Sequence, residues 1–401
     1  MPAELLADAS PAIGCPKHME YGPCGGVEFD GNCEVAPHPC VFLGTPTVLW
    51  HGVSNPLVEP VETGLGGGVS NPLVEPVETG SWVSTGSTSE TGSRVSPGST
   101  SETGSPGVSS GSARMRELLT TRAIVVADFP AAALSAESIT ECAAVLVGSV
   151  DAVLAGDAGS ARVQFPPAYR AHLIQSAGLA VWAGLNCRDR NRVAIEGELA
   201  ALAHVGVAGI HSVTGDHTLT GSRPDASPVF DLDSTELAAL AAAAGLLVSV
   251  AEAPASPPVE RRPARLIEKE RAGAEICFVN HAGGVEPVRA FIGAARALGS
   301  TLGFIPCIPI VIDRESAELL KSFTTLVLPA GYLDEILAAE TPADMRAAGI
   351  AAAVELGHGF LAIDGVVGVN LSGGSTSDRA VEFAAALAEI GRALAPSLTH
   401  R

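Results

Sequence analysis

Half of the eight cysteines of this chain fall in one short N-terminal stretch, at Cys15, Cys24, Cys33 and Cys40. They stand among the turn formers Gly22-Pro23 and Gly25-Gly26, which let a backbone wrap closely round something small. Thiolates brought together in this way hold a metal. Eight, eight and six residues separate successive cysteines, which is neither a finger nor a ribbon spacing. The chemistry stays open between a [4Fe–4S] cluster, suited to electron entry, and structural Zn. His18 and His38 are spare ligands able to replace one cysteine. The other cysteines, Cys142, Cys187, Cys277 and Cys307, are well separated and read as small core residues.

A second set of chemically able residues closes a series of short apolar runs. These runs are Ala123–Asp128, Ala152–Ala155, Leu179–Trp182, Ala208–Ser212, Leu246–Ala251, Ile276–Val279, Leu302–Ile305 and Val366–Leu371. Amphipathic alanine-rich stretches lie between them: Ser135–Leu146, Arg192–His204, Ser234–Ala244, Ala264–Ala272, Val285–Leu298 and Ser377–Leu394. Ser135 is placed to cap the first of these helices. Eight strands with helices between them predict an α/β fold, a (β/α)8 TIM barrel. The alternative is an open doubly wound sheet, but no Gly-x-Gly-x-x-Gly turn follows the first strand. A barrel collects its chemistry at the carboxyl ends of its strands. Those ends carry Asp128, Asp157, Asn186, Asp216, Glu252, Asn280 and Asn370. Any one of them can be a mere turn former; several acids and amides at one end of one barrel predict a site.

Composition divides the chain into a cysteine-rich module at 1–44, a Ser/Gly/Thr-rich linker at 45–112 and the barrel at 113–401. The linker holds a duplicated segment, Gly52–Gly64 and Gly68–Gly80, and a second small repeat starting at Gly86 and Gly98. Such sequence cannot bury enough apolar area to offset its ordering entropy, which predicts a disordered tether. A net charge of −20 without a basic patch excludes nucleic acid as partner. No apolar run is long enough for a membrane span, and no export signal is evident, so a cytoplasmic, reducing location without disulfides is expected.

Four segments of the barrel region carry a likeness to a known family. Asn186-Cys-Arg-Asp-Arg-Asn-Arg192, Val213-Thr-Gly-Asp-His217 and Pro228-Val-Phe-Asp-Leu-Asp-Ser234, with Lys269-Glu-Arg-Ala-Gly-Ala274, resemble the methylenetetrahydrofolate reductase family in order and spacing. The Cys-Pro-Lys, Gly-Pro-Cys-Gly-Gly and Asp-Gly-x-Cys-Glu-Val elements and the final cysteine resemble the small metal-binding domain that accompanies reductases of the acetogenic type. The resemblance implies an FAD-dependent reduction of 5,10-methylenetetrahydrofolate to 5-methyltetrahydrofolate, fed by NAD(P)H or a redox protein, often in an oligomer. A carboxylic acid protonates the bridging nitrogen, the ring opens to an iminium, and the reduced flavin delivers hydride. Carried over residue by residue, the acid falls on Asp128, one methylene shorter than the family's Glu. The flavin- and pterin-side Asp falls on Asp216, and the family's Gln falls on Asn280. The flavin-contacting Lys falls on Lys269, and the family's Arg two residues before Asp216 is replaced by Thr214. Asp157 and Asn186 complete the cofactor-side candidates. Two alternatives remain: a flavin-free folate-binding partner subunit, or a tetrahydrofolate-dependent methyltransferase.

Overall fold

The computed structural model describes residues 14–52, 110–156, 161–322 and 325–398. The chain divides into one unit formed by Met1–Gly52 with Pro106–Arg401, and a second, Val53–Ser105. The expected disordered linker lies outside the described residues over 53–109.

Eight parallel strands close into a barrel in sequence order. They are β1 (Ile124–Asp128), β2 (Ala152–Ala155), β3 (Val181–Asn186), β4 (Gly209–Val213), β5 (Val248–Glu252), β6 (Ile276–Val279), β7 (Gly303–Pro309) and β8 (Gly368–Ser372). The closure between β1 and β8 pairs Ile124 with Gly368 and Val126 with Asn370, which rules out the open sheet. Period-two alternation sorts each strand into two faces. Ile124, Val126, Trp182, Phe278 and Ile305 fill the lumen. Val125, Ala127, Ile210, Val248, Val250, Val369 and Leu371 face the surrounding helices. By the same alternation Asp128, His211 and Asn370 point into the lumen, whereas Glu252 points outward.

The helices are α1 (Ser110–Thr121), α2 (Ala136–Leu146), α3 (Pro167–Ser176), α4 (Arg192–Val205), α5 (Ser234–Ala243), α6 (Arg262–Arg271), α7 (Val285–Ala297), α8 (Arg314–Lys321), α9 (Tyr332–Leu337), α10 (Pro342–Leu361) and α11 (Ala380–Leu394). Ser135 caps α2 as expected, its hydroxyl accepting from the Ser138 amide at 3.1 Å. Helix α1 closes the floor of the barrel. Met115 joins the lumen cluster, and the Ser112 hydroxyl donates to Val207 O at 3.1 Å. A Cβ at Gly111 would stand 2.0 Å from Gly206 O, so only glycine lets α1 approach this closely. Between β7 and β8 the chain makes an excursion, α8 to α10, with its own small core of Val311, Leu320, Tyr332, Ile336 and Met345.

Residues 14–52 form no regular element and are held by turns and two bridges, Val27 with Cys33 and Asn32 with Pro39. Their apolar anchors Met19, Tyr21, Val27 and Phe42 are buried. The segment sits on the carboxyl face of the barrel. The Tyr21 amide donates to Asp233 Oδ2 at 3.3 Å, and the Ser256 hydroxyl donates to Val27 O at 3.1 Å. Arg262 donates to Pro23 O at 3.3 Å and to Cys24 O at 3.1 Å. The Thr325 hydroxyl reaches Gly25 O at 3.4 Å, and the Trp50 amide reaches Glu268 Oε2 at 2.6 Å. These partners belong to the loops after β4 and β5, to α6 and to the segment between α8 and α9. The module is therefore a roof over one side of the mouth, and its docked part extends beyond residue 44 to Gly52.

Candidate functional site

Cys15, Cys24, Cys33 and Cys40 line one small cavity of about 20 Å³, together with Lys17, Glu34 and His38. Burial pushes the Cys15 thiol up, and pushes Cys40 up to about 11, with the neighbouring cysteines adding to both. Thiols that oppose one another's ionisation in a shared, half-buried cavity need a cation to become thiolates together. Four thiols round one cavity are donors of the kind a soft or borderline metal takes, but among the described residues no three His, Cys, Asp or Glu side chains are arranged so that they could hold one. His38 lines the cavity, whereas His18 turns to the barrel, its Nδ1 3.3 Å from Phe230 O.

Lys17 and Glu34 form a buried ion pair between this cavity and the barrel mouth. Burial opposes the charge on Lys17, but the Cys24 thiol and the Glu34 and Asp216 carboxylates together raise its pKa. A side chain at position 26 would collide with the Glu34 carboxyl group, which explains the second glycine of Gly25-Gly26. Asp216 itself is exposed in the loop after β4. Gly215 before it has φ +90°, and a Cβ there would lie 3.1 Å from Asn186 Cβ. The Thr-Gly-Asp turn thus brings the loops after β3 and β4 into contact. Asn280 is likewise exposed, its backbone amide donating to Glu252 O at 2.8 Å.

Asp128 ends β1 inside the lumen. Its Oδ1 accepts from Asn370 Nδ2 at 2.9 Å and its Oδ2 from the Gly373 amide at 3.1 Å. Burial raises its pKa, with the donors from Asn370, Gly373 and Ser372 acting against that rise. Asn370 Nδ2 also faces Cys307 Sγ at 3.7 Å, and burial, then the Asp128 charge, pushes that thiol up to about 12. Across the barrel, His211 Nδ1 lies 2.9 Å from Ser249 Oγ, and that hydroxyl donates to Ile210 O at 3.2 Å. The Ser249 hydroxyl thus ties the His211 ring to the backbone of β4. Burial and then the Lys269 charge lower His211 to about 4, leaving it neutral.

The cofactor-side residues are not brought to the mouth as a set. Lys269 is buried on α6 and donates to Ala251 O at 2.6 Å and to Glu252 Oε2 at 2.8 Å, on the outer face of β5. Burial alone would raise Glu252, but Lys269 and Arg262 hold its carboxyl low. The Thr214 hydroxyl accepts from the Ser234 amide at 3.2 Å, fixing the start of α5. Asn186 is buried, and its Oδ1 accepts from the Asp189 amide at 3.2 Å within its own loop. Asp157 lies outside the described residues. The segment after β5 is held under the cysteine module by Ser256 and Arg262. Lys269, Thr214 and Asn186, committed as they are, do not offer a flavin their side chains. Asn191, in the loop after β3, caps α4 by accepting from the Ala194 amide at 3.1 Å.

Sequence reasoning passed over Lys17, Glu34 and the pairing of Asn370 with Asp128. Lys17 stands in the Cys-Pro-Lys element, and Asn370 breaks an otherwise apolar strand; these were the signals available.

Fold and site together define a (β/α)8-barrel protein whose mouth is partly roofed by a cysteine-rich module. Residues 4–47 match the family model described as "Methylene-tetrahydrofolate reductase C terminal". No curated protein sequence matches the chain. Among solved structures, an uncharacterized protein from Clostridium thermocellum that binds two copies of 5-methyl-5,6,7,8-tetrahydrofolic acid is similar, at 13% identity, with a TM-score of 0.50, over 69% of this chain and 98% of that one. Oxaloacetate acetylhydrolase is similar at 12% identity and a TM-score of 0.42, over 69% of this chain and 84% of that one. 2,3-Dimethylmalate lyase is similar at 12% identity and a TM-score of 0.40, over 65% of this chain and 81% of that one. These likenesses are of fold. No helix among the described residues is long and apolar enough to cross a membrane.

Proposed function

We propose that this chain handles a one-carbon derivative of tetrahydrofolate, in chemistry of the methylenetetrahydrofolate reductase type, with the metal module built into the mouth of the barrel. The observation that carries the reading is the docking of the segment matched to the reductase-associated family, with Lys17 brought into the field of Asp216. The folate bound by the Clostridium protein of the same fold is in keeping with it. Asp128 is the proton-holding group: burial favours its neutral form, and its donors fix the carboxyl while leaving lone-pair capacity toward a ligand. Proton delivery from Asp128 to the bridging nitrogen of a methylenetetrahydrofolate opens that ring. Asp216 and Asn280, exposed at the mouth, orient the pterin.

Cys15, Cys24, Cys33 and Cys40 hold the metal. As zinc it would fasten the module; as an iron–sulfur cluster it would admit electrons. The commitments of Lys269 and Thr214 favour a second reading, in which the barrel binds or transfers methyl groups without flavin. Absorbance and metal analysis of anaerobically purified protein, before and after FAD is added, separate the two. Flavin bands with iron support the reductase. Zinc without flavin, together with binding of 5-methyltetrahydrofolate, supports the flavin-free reading. Failure to bind any tetrahydrofolate refutes both.

A further inference from the structure

We infer that Asn370 is a positioning and specificity residue of the lumen: it fixes the Asp128 carboxyl group and offers its own amide oxygen to an N–H of the ligand. The inference rests on the reading of the lumen as a tetrahydrofolate site. Asn370 is 1% exposed and lies between two ladders, opposite Val126 on β1 and Cys307 on β7. Its amide orientation is not free. Nδ2 stands 2.9 Å from Asp128 Oδ1, and while that oxygen carries no proton a flipped amide would set acceptor against acceptor. One Nδ2 proton is taken by Asp128 and the other faces Cys307 Sγ at 3.7 Å. The donor end is therefore fully used. Oδ1 is buried and has no partner.

A buried amide oxygen left alone costs about as much as a lost hydrogen bond, so an orphan of this kind calls for a donor. Burial keeps the Cys307 thiol protonated, and it is a weak donor at best. The ligand class indicated is one that carries ring N–H groups apart from the bridging nitrogens, as a tetrahydropterin does. Asn370 then does two things with one side chain. It holds the acid in a single rotamer, and it discriminates for an N–H over an unprotonated ring nitrogen at the position next to it.

The test uses the full chain labelled with 13C at the Asp Cγ carbons, with Asp128→Asn to assign the resonance. Asn370→Leu keeps the branched shape, at a larger volume, and removes both donor and acceptor; Asn370→Ser serves where the leucine variant does not fold. Losing a donor to the charged carboxylate moves the Asp128 midpoint upward by about one to two pH units. Binding of tetrahydrofolate, measured by calorimetry, weakens about tenfold through the lost Oδ1 contact. An unchanged midpoint in a variant with native circular dichroism overturns Asn370's hold on Asp128, because a merely structural asparagine would alter melting and leave the titration alone. An unchanged affinity overturns the ligand contact. A wild-type chain that binds no tetrahydrofolate instead overturns the folate reading, and the carboxyl titration still decides the role of Asn370 toward Asp128.

Discussion

Asp233 joins the cysteine module to the barrel, and removing its carboxylate should separate the two. It is 1% exposed, and its oxygens serve both sides of the seam. Toward the barrel it caps α5, accepting from the Thr235 amide at 2.6 Å and the Glu236 amide at 3.3 Å in a capping box. Toward the module it accepts from the Tyr21 amide at 3.3 Å and the Glu20 amide at 3.5 Å. Arg265, 2% exposed, has its nearest counter-charge in Asp233 at 3.6 Å. Losing the cap costs about 1 kcal/mol. Losing the charge-assisted bond to Tyr21 costs about 1.5–3 kcal/mol. Leaving Arg265 buried without a counter-charge costs about 3 kcal/mol more, and the three overlap because they share one carboxylate. For Asp233→Ala the expected loss is about 4 kcal/mol. Asp233→Asn, which still caps, should lose about 2 kcal/mol. Urea unfolding gives the totals, and hydrogen exchange at the Tyr21 amide reports the seam itself. Adding Arg265→Met to Asp233→Ala should recover part of the loss, since the uncompensated charge is gone. A loss below about 1 kcal/mol, or a Tyr21 amide as protected as in the wild type, refutes the assignment of Asp233 as the joint.

Other consequences follow from the same geometry. Gly111→Ala drives a methyl group into Gly206 O and should unseat α1 from the barrel floor, costing about 2 kcal/mol by urea unfolding. Asp128 has a raised folded-state pKa, so the native state holds its proton more tightly than the unfolded chain does; stability is full below the unfolded value and falls as pH rises through the folded one. Asp128→Asn should remove that fall and flatten the curve of melting temperature against pH above the normal carboxylate range. Serine at Cys24 or Cys33 should abolish bound metal in elemental analysis, while Cys142→Ser leaves the metal content unchanged, because Cys142 is buried on α2 away from the cavity.

The barrel was legible because its strands are short apolar runs with helical periodicity between them, and β1, β2 and β6 fall close to the boundaries expected from sequence. Helix α3 was missed because Pro166-Pro167 reads as a breaker, whereas a proline in the first helical turn lacks only an amide that would be unpaired in any case. The excursion α8 to α10 was missed because it packs on its own small core and adds no strand. The donor and acceptor roles around Asp128 were out of reach for a different reason. Asp128 and Asn370 are 242 residues apart in sequence and meet only because the last strand closes on the first. The placement of Lys269 depends on strand parity: Glu252 shares the outward face of Val248 and Val250, so its buried cation stands behind the sheet, away from the mouth.

The roof and the mouth cannot be treated as separable parts, because a single cation serves both. Lys17 is almost fully buried, and it is influenced at once by a thiol of the cysteine cavity, by Glu34 within the module and by Asp216 of the barrel. A buried charge keeps its state only where its neighbours compensate it, and pairwise interactions in such surroundings are screened far less than at an exposed surface. A metal bound by thiolates changes the charge beside Cys24, and Lys17 then shares its field differently between the cavity and Asp216. The same ammonium lies in the surroundings of His217, whose pKa is lowered by burial and then by Lys17. The occupancy of the cysteine cavity is therefore an electrostatic property of the barrel mouth as well. A cysteine module fused to a barrel has this consequence only when it is docked as here, with its Cys-Pro-Lys turn directed at the loop after β4.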